Sequence, residues 1–131
     1  MDELCSKFTN AARLHHYFDP TPYQLYMGTW GGVHTSQSMY KYTFVGELLG
    51  TPEYIDYVTH EDYVVLEDNL VLDVSTVSPR SILTWIRNEY DAEKVGNCVI
   101  RTEVNEATRE SRFYVWTTER VDEGDELVYM L

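Results

Sequence analysis

The sequence is poor in the residues that build metal and disulfide sites. Cys5 and Cys98 are its only cysteines, no CxxC pair exists, and His15, His16, His34 and His60 fall at no ligand spacing. Neither a zinc site nor a disulfide framework can be read from such a set, which suits a reducing compartment. Positive charge is also scarce, with 10 Lys and Arg against 22 Asp and Glu and a net charge of −12. A field of that sign repels phosphate backbones, so direct nucleic-acid binding is disfavoured, and Lys/Arg-rich partners are favoured. Solubility alone accounts for the acidity equally well. No apolar run approaches the length of a membrane span, and the opening MDELCSKF lacks the apolar core of a signal peptide. The expectation is a soluble intracellular protein, cytoplasmic or nuclear, without membrane contact. GxxxxGK[ST], HExxH, GxSxG and a strand-to-helix GxGxxG are all missing.

What is present is a core and an excess of tyrosine. The 131 residues are 44% hydrophobic and 14% aromatic, which opposes disorder and suits one domain. Eleven tyrosines fit half-buried strand faces, where the ring packs and the hydroxyl finds a partner. The pattern along the chain is mostly strand. Leu4, Phe8, Ala11, Ala12 and Leu14 recur at helical spacing, and Asp19-Pro20-Thr21-Pro22 stops that helix. A short strand is expected over Tyr23–Met27, a glycine loop at Gly28–Gly32, and a strand over Tyr40–Leu49. Gly50–Glu53 reads as a turn into a short helix at Glu53–Tyr57. Tyr63–Leu66 and Leu70–Val74 flank the turn-rich Glu67-Asp68-Asn69 as a hairpin. Pro79 opens SPRSILTWIRNEY near the first position of a helical turn. Cys98–Val104 and Ser111–Thr118 alternate as a second hairpin around Asn105–Glu110, and an acidic turn at Gly124 leads into a terminal strand.

The order of pieces in the second half carries a resemblance. Asp73 ends a hairpin, Arg87-Asn88-Glu89 and Asn97-Cys98 follow, and VWTTERVDEGDELV runs from Val115 to Val128. This succession resembles the SET domain of protein-lysine methyltransferases. There a strand ending in I-D-A precedes R-F-I-N-H-S-C-x-P-N-C, then a hairpin, then A-T-R-D-I-x-x-G-E-E-L-T-x-x-Y. Asn88 matches the Asn of N-H-S, and Asn97-Cys98 match the end of P-N-C. Upstream, Trp30-Gly31-Gly32-Val33 is similar to the family's G-x-G, and Val45–Tyr54 to its E-Y-x-G-E-x-I-x-x-x-E. The likeness spans about residues 26–129. The chain departs from it at Glu89 for His, Tyr90 for Ser, an insertion Tyr90–Gly96, and Leu131 where an aromatic belongs.

The resemblance implies a β-rich α+β fold of several small sheets, with 1–131 as one SET-like domain and 1–22 as an N-terminal helical extension. It implies S-adenosylmethionine as methyl donor and methylation of lysine on a basic protein or peptide, a histone tail being one candidate. Trp30, Gly31, Gly32, Asn88 and Glu89 would border the donor, and Tyr129 would be the catalytic tyrosine. It also implies that the Asn88–Tyr90 and Leu127–Tyr129 segments touch. Residue by residue, duller roles stand beside these: a turn for the glycines, a helix cap for Asn88, a plain strand residue for Tyr129, a solvated carboxylate for Glu89. A minimal domain has few ways to position a substrate, so a homodimer is expected. A SET-like acidic binding or structural module without catalysis is the alternative.

Overall fold

The hairpin pattern is realised almost residue for residue in the computed structural model, which describes residues 24–131. β8 (Cys98–Val104) pairs antiparallel with β9 (Ser111–Thr117), from Cys98 opposite Thr117 to Val104 opposite Ser111. Alternation sends successive β9 side chains to opposite faces, and both faces are covered. Phe113 and Val115 enter the main core, while Tyr114 and Trp116 pack with Phe44 in a second cluster. The Phe44 and Trp116 rings meet edge to face at 5.3 Å. Phe44 lies on β3 (Phe44–Leu48), the neighbour of β9 on its other side.

The larger sheet runs β1 (Leu25–Met27), β2 (Val33–Thr35), β10 (Glu126–Tyr129), β8, β9, β3. A two-residue strand, β7 (Arg87–Asn88), pairs parallel with β10, placing Val128 opposite Arg87 and Tyr129 opposite Asn88. The expected contact between the Asn88 segment and the terminal strand is therefore present. A three-stranded sheet carries β4 (Thr51–Tyr54), β6 (Leu70–Asp73) and β5 (Tyr63–Glu67) in that order. Val64 and Leu72 point its inner face into the main core, against Leu48, Leu83, Leu127 and their neighbours. This is a β-rich α+β fold of small sheets, as expected.

Three local expectations need correction. Glu53–Tyr57 is not a helix: Thr51–Tyr54 pairs along β6, and only Ile55–Tyr57 makes a 3₁₀ turn. The sheet ladder there outweighs the local turn signal of Gly50-Thr51-Pro52. The strand expected over Tyr40–Leu49 begins only at Phe44, because Tyr42 adopts φ +63 and its N–H bonds Thr117. The helical turn after Pro79 lies later, as a 3₁₀ turn at Ile82–Trp85 capped by Ser81, whose Oγ accepts the Leu83 N–H at 3.1 Å. The expected N-terminal helix falls outside the described residues. Among the described residues no helix is long and apolar enough to cross a membrane.

Candidate functional site

Strand β10, paired with β2 and β7, is held on its other edge largely by one side chain and the adjoining backbone. Asn97 donates Nδ2–H to the Glu126 carbonyl at 2.9 Å and accepts the Val128 N–H on Oδ1 at 2.8 Å. Its own backbone N–H bonds the Val128 carbonyl at 2.9 Å, and Met130 N–H reaches the Cys98 carbonyl at 2.9 Å. Alternate backbone groups of a strand face one edge, so Asn97 and Cys98 together complete one edge of β10. Cys98 is buried, which pushes its thiol up to about 12 and leaves it inert.

The first residue of β10 carries the strongest electrostatic feature. The Glu126 side chain is 2% exposed, and Arg87 grips it with two bonds of 2.8 Å, from Nε and Nη2. Lys94 adds a third at 3.0 Å. Burying a carboxylate is tolerable only with such partners. The Arg87 guanidinium, and then Lys94, hold the Glu126 carboxyl below its ordinary range despite its burial. Gly32 packs onto the same carboxylate, so any Cβ there would run into Oε2 of Glu126. The ion cluster thus sits under the glycine loop.

That loop turns at Gly28–Gly32, closed by the Gly28 N–H to the Gly32 carbonyl at 2.9 Å. Gly31 has φ +93 with open space where a Cβ would stand. Trp30 is 93% exposed. A cleft of about 380 Å³ lies between this loop and the cluster, bordered by Tyr26, Trp30, Gly31, Arg87, Lys94 and Glu126. A second cleft, of about 360 Å³, is lined by Tyr63, Trp85, Asn88, Asp91 and Tyr129 among others. Arg87 borders both.

The residues singled out by resemblance are distributed over these features. Trp30 and Gly31 border the first cleft, with Gly32 buried behind it. Asn88 borders the second cleft instead, and its Oδ1 caps the helical turn Glu89–Ala92 by accepting the Asp91 N–H at 2.8 Å. Glu89 lines neither cleft's wall as described. Its carboxylate accepts the Leu131 N–H at 3.0 Å and the Gly96 N–H at 2.7 Å, which together hold it below its usual range. Tyr129 is buried, and its hydroxyl donates to the Leu83 carbonyl at 2.7 Å. Burial pushes that phenol well above its ordinary value, so it remains a neutral donor. Arg87, Lys94 and Glu126 were not anticipated from the sequence. The available signal was two of the chain's 10 bases falling within eight residues of each other beside Asn88.

The sequence matches no family model and no curated protein. Among solved structures, it is similar to the crystal structure of KRYPTONITE in complex with mCHH DNA, an H3(1–15) peptide and SAH. The TM-score is 0.61 at 12% identity, over 84% of this chain and 23% of that one. The chain has a SET-like fold. At that identity the likeness carries architecture, and site residues rest on the geometry above. Among the described residues no group of His, Cys, Asp and Glu is placed to hold a metal ion.

Proposed function

We propose that this chain is a SET-type protein-lysine N-methyltransferase that uses S-adenosylmethionine on a basic, lysine-rich tail. The observation that carries the reading is the pair of clefts sharing Arg87 as a wall. Methyl transfer to an amine is an in-line displacement, so nucleophile and leaving group must approach the methyl from opposite sides. Two recesses that share Arg87 supply neighbouring places for donor and amine, and positioning is most of what such a reaction asks of a protein.

The first cleft fits the donor chemically. Trp30 presents an exposed indole beside it, and base stacking on an aromatic face is worth roughly 1–3 kcal/mol. Gly31 leaves its backbone open to close approach. When bound, the donor supplies an electrophilic sulfonium methyl. The chain's own part is to deliver a neutral amine, because a lysine of pKa about 10.4 arrives protonated at neutral pH. Tyr63, Trp85 and Tyr129 make the second cleft partly aromatic, and desolvation there drives the proton off the amine before attack. The two acids of that cleft, Glu61 and Asp91, are balanced by Arg80 and Arg87, so its lining is neutral overall. The adjoining three-stranded sheet adds acids from Glu53 to Asp73 and no Lys or Arg, which favours a basic tail.

One observation favours the second reading, a SET-like acidic binding module without turnover. The Tyr129 hydroxyl is already bonded to Leu83 inside the core rather than free to serve a substrate. Calorimetric titration with S-adenosylmethionine, followed by methyl transfer to lysine-rich histone tails, decides between them. Binding with turnover supports the enzyme. Binding without turnover supports the module, and no binding removes the donor from both.

A further inference from the structure

We infer that Lys94, carried on the insertion Tyr90–Gly96, and Arg87 form a carboxylate-recognition corner in the cleft beside Trp30, one that selects a donor with an intact amino-acid carboxylate. This rests on the donor reading above and names the chemistry of one end of that ligand.

The charge balance of the cleft comes first. Its lining holds two cations, Arg87 and Lys94, and one carboxylate, Glu126, for a net charge of 2 − 1 = +1. The remaining lining residues are Tyr26, Gly28, Thr29, Trp30, Gly31, His34 and Gly124, none of them acidic. A net positive recess in a chain of net charge −12 runs against the overall field. Asp91 also acts on Arg87, but it lines the second cleft rather than this one.

Donor capacity comes next. An ammonium has three N–H donors and a guanidinium five. Lys94 places one on Glu126, and Arg87 places two. Both cations therefore keep donors in reserve without leaving Glu126. Glu126, 2% exposed and braced against Gly32, fixes the two heads in place and offsets one of their two charges. The Lys94 side chain is 54% exposed and that of Arg87 34% exposed, and both line the cleft. A second carboxylate arriving here would complete two cations with two anions. The exposed Trp30 ring, which also lines the cleft, suits a base. A ligand with a purine at one end and a carboxylate at the other matches both.

The test compares S-adenosylmethionine with decarboxylated S-adenosylmethionine, which keeps the nucleoside, sulfonium and ammonium and lacks only the carboxylate. Calorimetry on the full chain is run for wild type, Lys94→Met and Lys94→Arg, with thermal unfolding monitored alongside. Lys94→Met weakens the intact donor about tenfold, the scale of one hydrogen bond to a charged group, and leaves the decarboxylated one unchanged or tighter. Lys94→Arg restores the intact donor. Should Lys94→Met not fold, Lys94→Gln, which retains a donor for Glu126 without the charge, gives the same comparison. Equal losses for the two ligands, or no loss for either, overturn the inference while leaving the donor reading intact. If wild type binds neither ligand, the donor reading fails and the inference with it.

Discussion

Asn97→Ala tests whether one amide side chain holds the terminal strand. The substitution leaves the backbone bonds of residue 97 in place and deletes two others, to the Glu126 carbonyl and the Val128 N–H. Both residues are buried, so both strand groups lose their partner where water enters poorly. Each orphaned group costs about 1–3 kcal/mol, so a total of about 2–6 kcal/mol is expected, the lower half if water reaches either group. With a urea m-value of roughly 1–3 kcal/mol/M, the midpoint should fall by on the order of 1–2 M at unchanged slope. Asn97→Asp should be no milder, because it sets a second acceptor against the Glu126 carbonyl and adds a charge near a buried carboxylate. Circular dichroism through a urea series reads both variants. A midpoint within about 0.3 M of wild type would refute the reasoning, since it would mean that water or a shifted strand satisfies those groups at little cost.

Other outcomes follow from the same contacts. Gly32→Ala should destabilise the fold by at least about 1–2 kcal/mol, since φ is +80 and the new methyl meets the Glu126 carboxylate; thermal unfolding measures it. Tyr129→Phe removes the 2.7 Å bond to the Leu83 carbonyl, leaving it the longer 3.4 Å bond from the Ile86 N–H, and should lower stability by about 1 kcal/mol in the same assay. If methyl transfer occurs, that variant should also lose turnover while donor affinity holds. Acid should unfold the chain through Glu126 and Glu89. Both have depressed folded-state pKa values, so their contribution is complete above the ordinary carboxylate range and disappears as pH falls through the depressed values. Urea midpoints should therefore drop below about pH 4.5, and Glu89→Gln should flatten that decline.

Much of the architecture was legible because it is written in local sequence. Residues 98–104 and 111–117 are apolar and β-branched or aromatic enough to mark both strands. β9 is buried on both faces, so its facing is not encoded by alternation, and the Asp68-Asn69 turn marks β5 and β6. Where the reading failed, a distant partner decided. β6 recruited Thr51–Tyr54 out of a turn-and-helix signal, and Thr117 drew the Tyr42 backbone into a left-handed turn. The site was legible only through resemblance, and its charged centre not at all. Glu126 meets Arg87 and Lys94 across separations of 39 and 32 residues, which no local pattern encodes. Asn97 was matched to a motif, but its work on β10 needed the terminal strand in view.

The positions where the sequence departs from the SET pattern are not scattered in space. Glu89 stands where that pattern has His, and its carboxylate takes the N–H of Gly96, at the end of the insertion, and of Leu131, at the position lacking the aromatic. Lys94, inside the same insertion, closes onto Glu126. One substitution, one insertion and one altered end are thus tied to each other by direct bonds. A neutral imidazole offers one acceptor nitrogen, whereas a carboxylate has two oxygens and here accepts both N–H groups at once. Glu89 therefore closes the 90–96 loop and holds Leu131 with one side chain. Glu89, Gly96 and Leu131 thus form one bonded corner of the fold, from which Lys94 reaches the cleft beside Trp30.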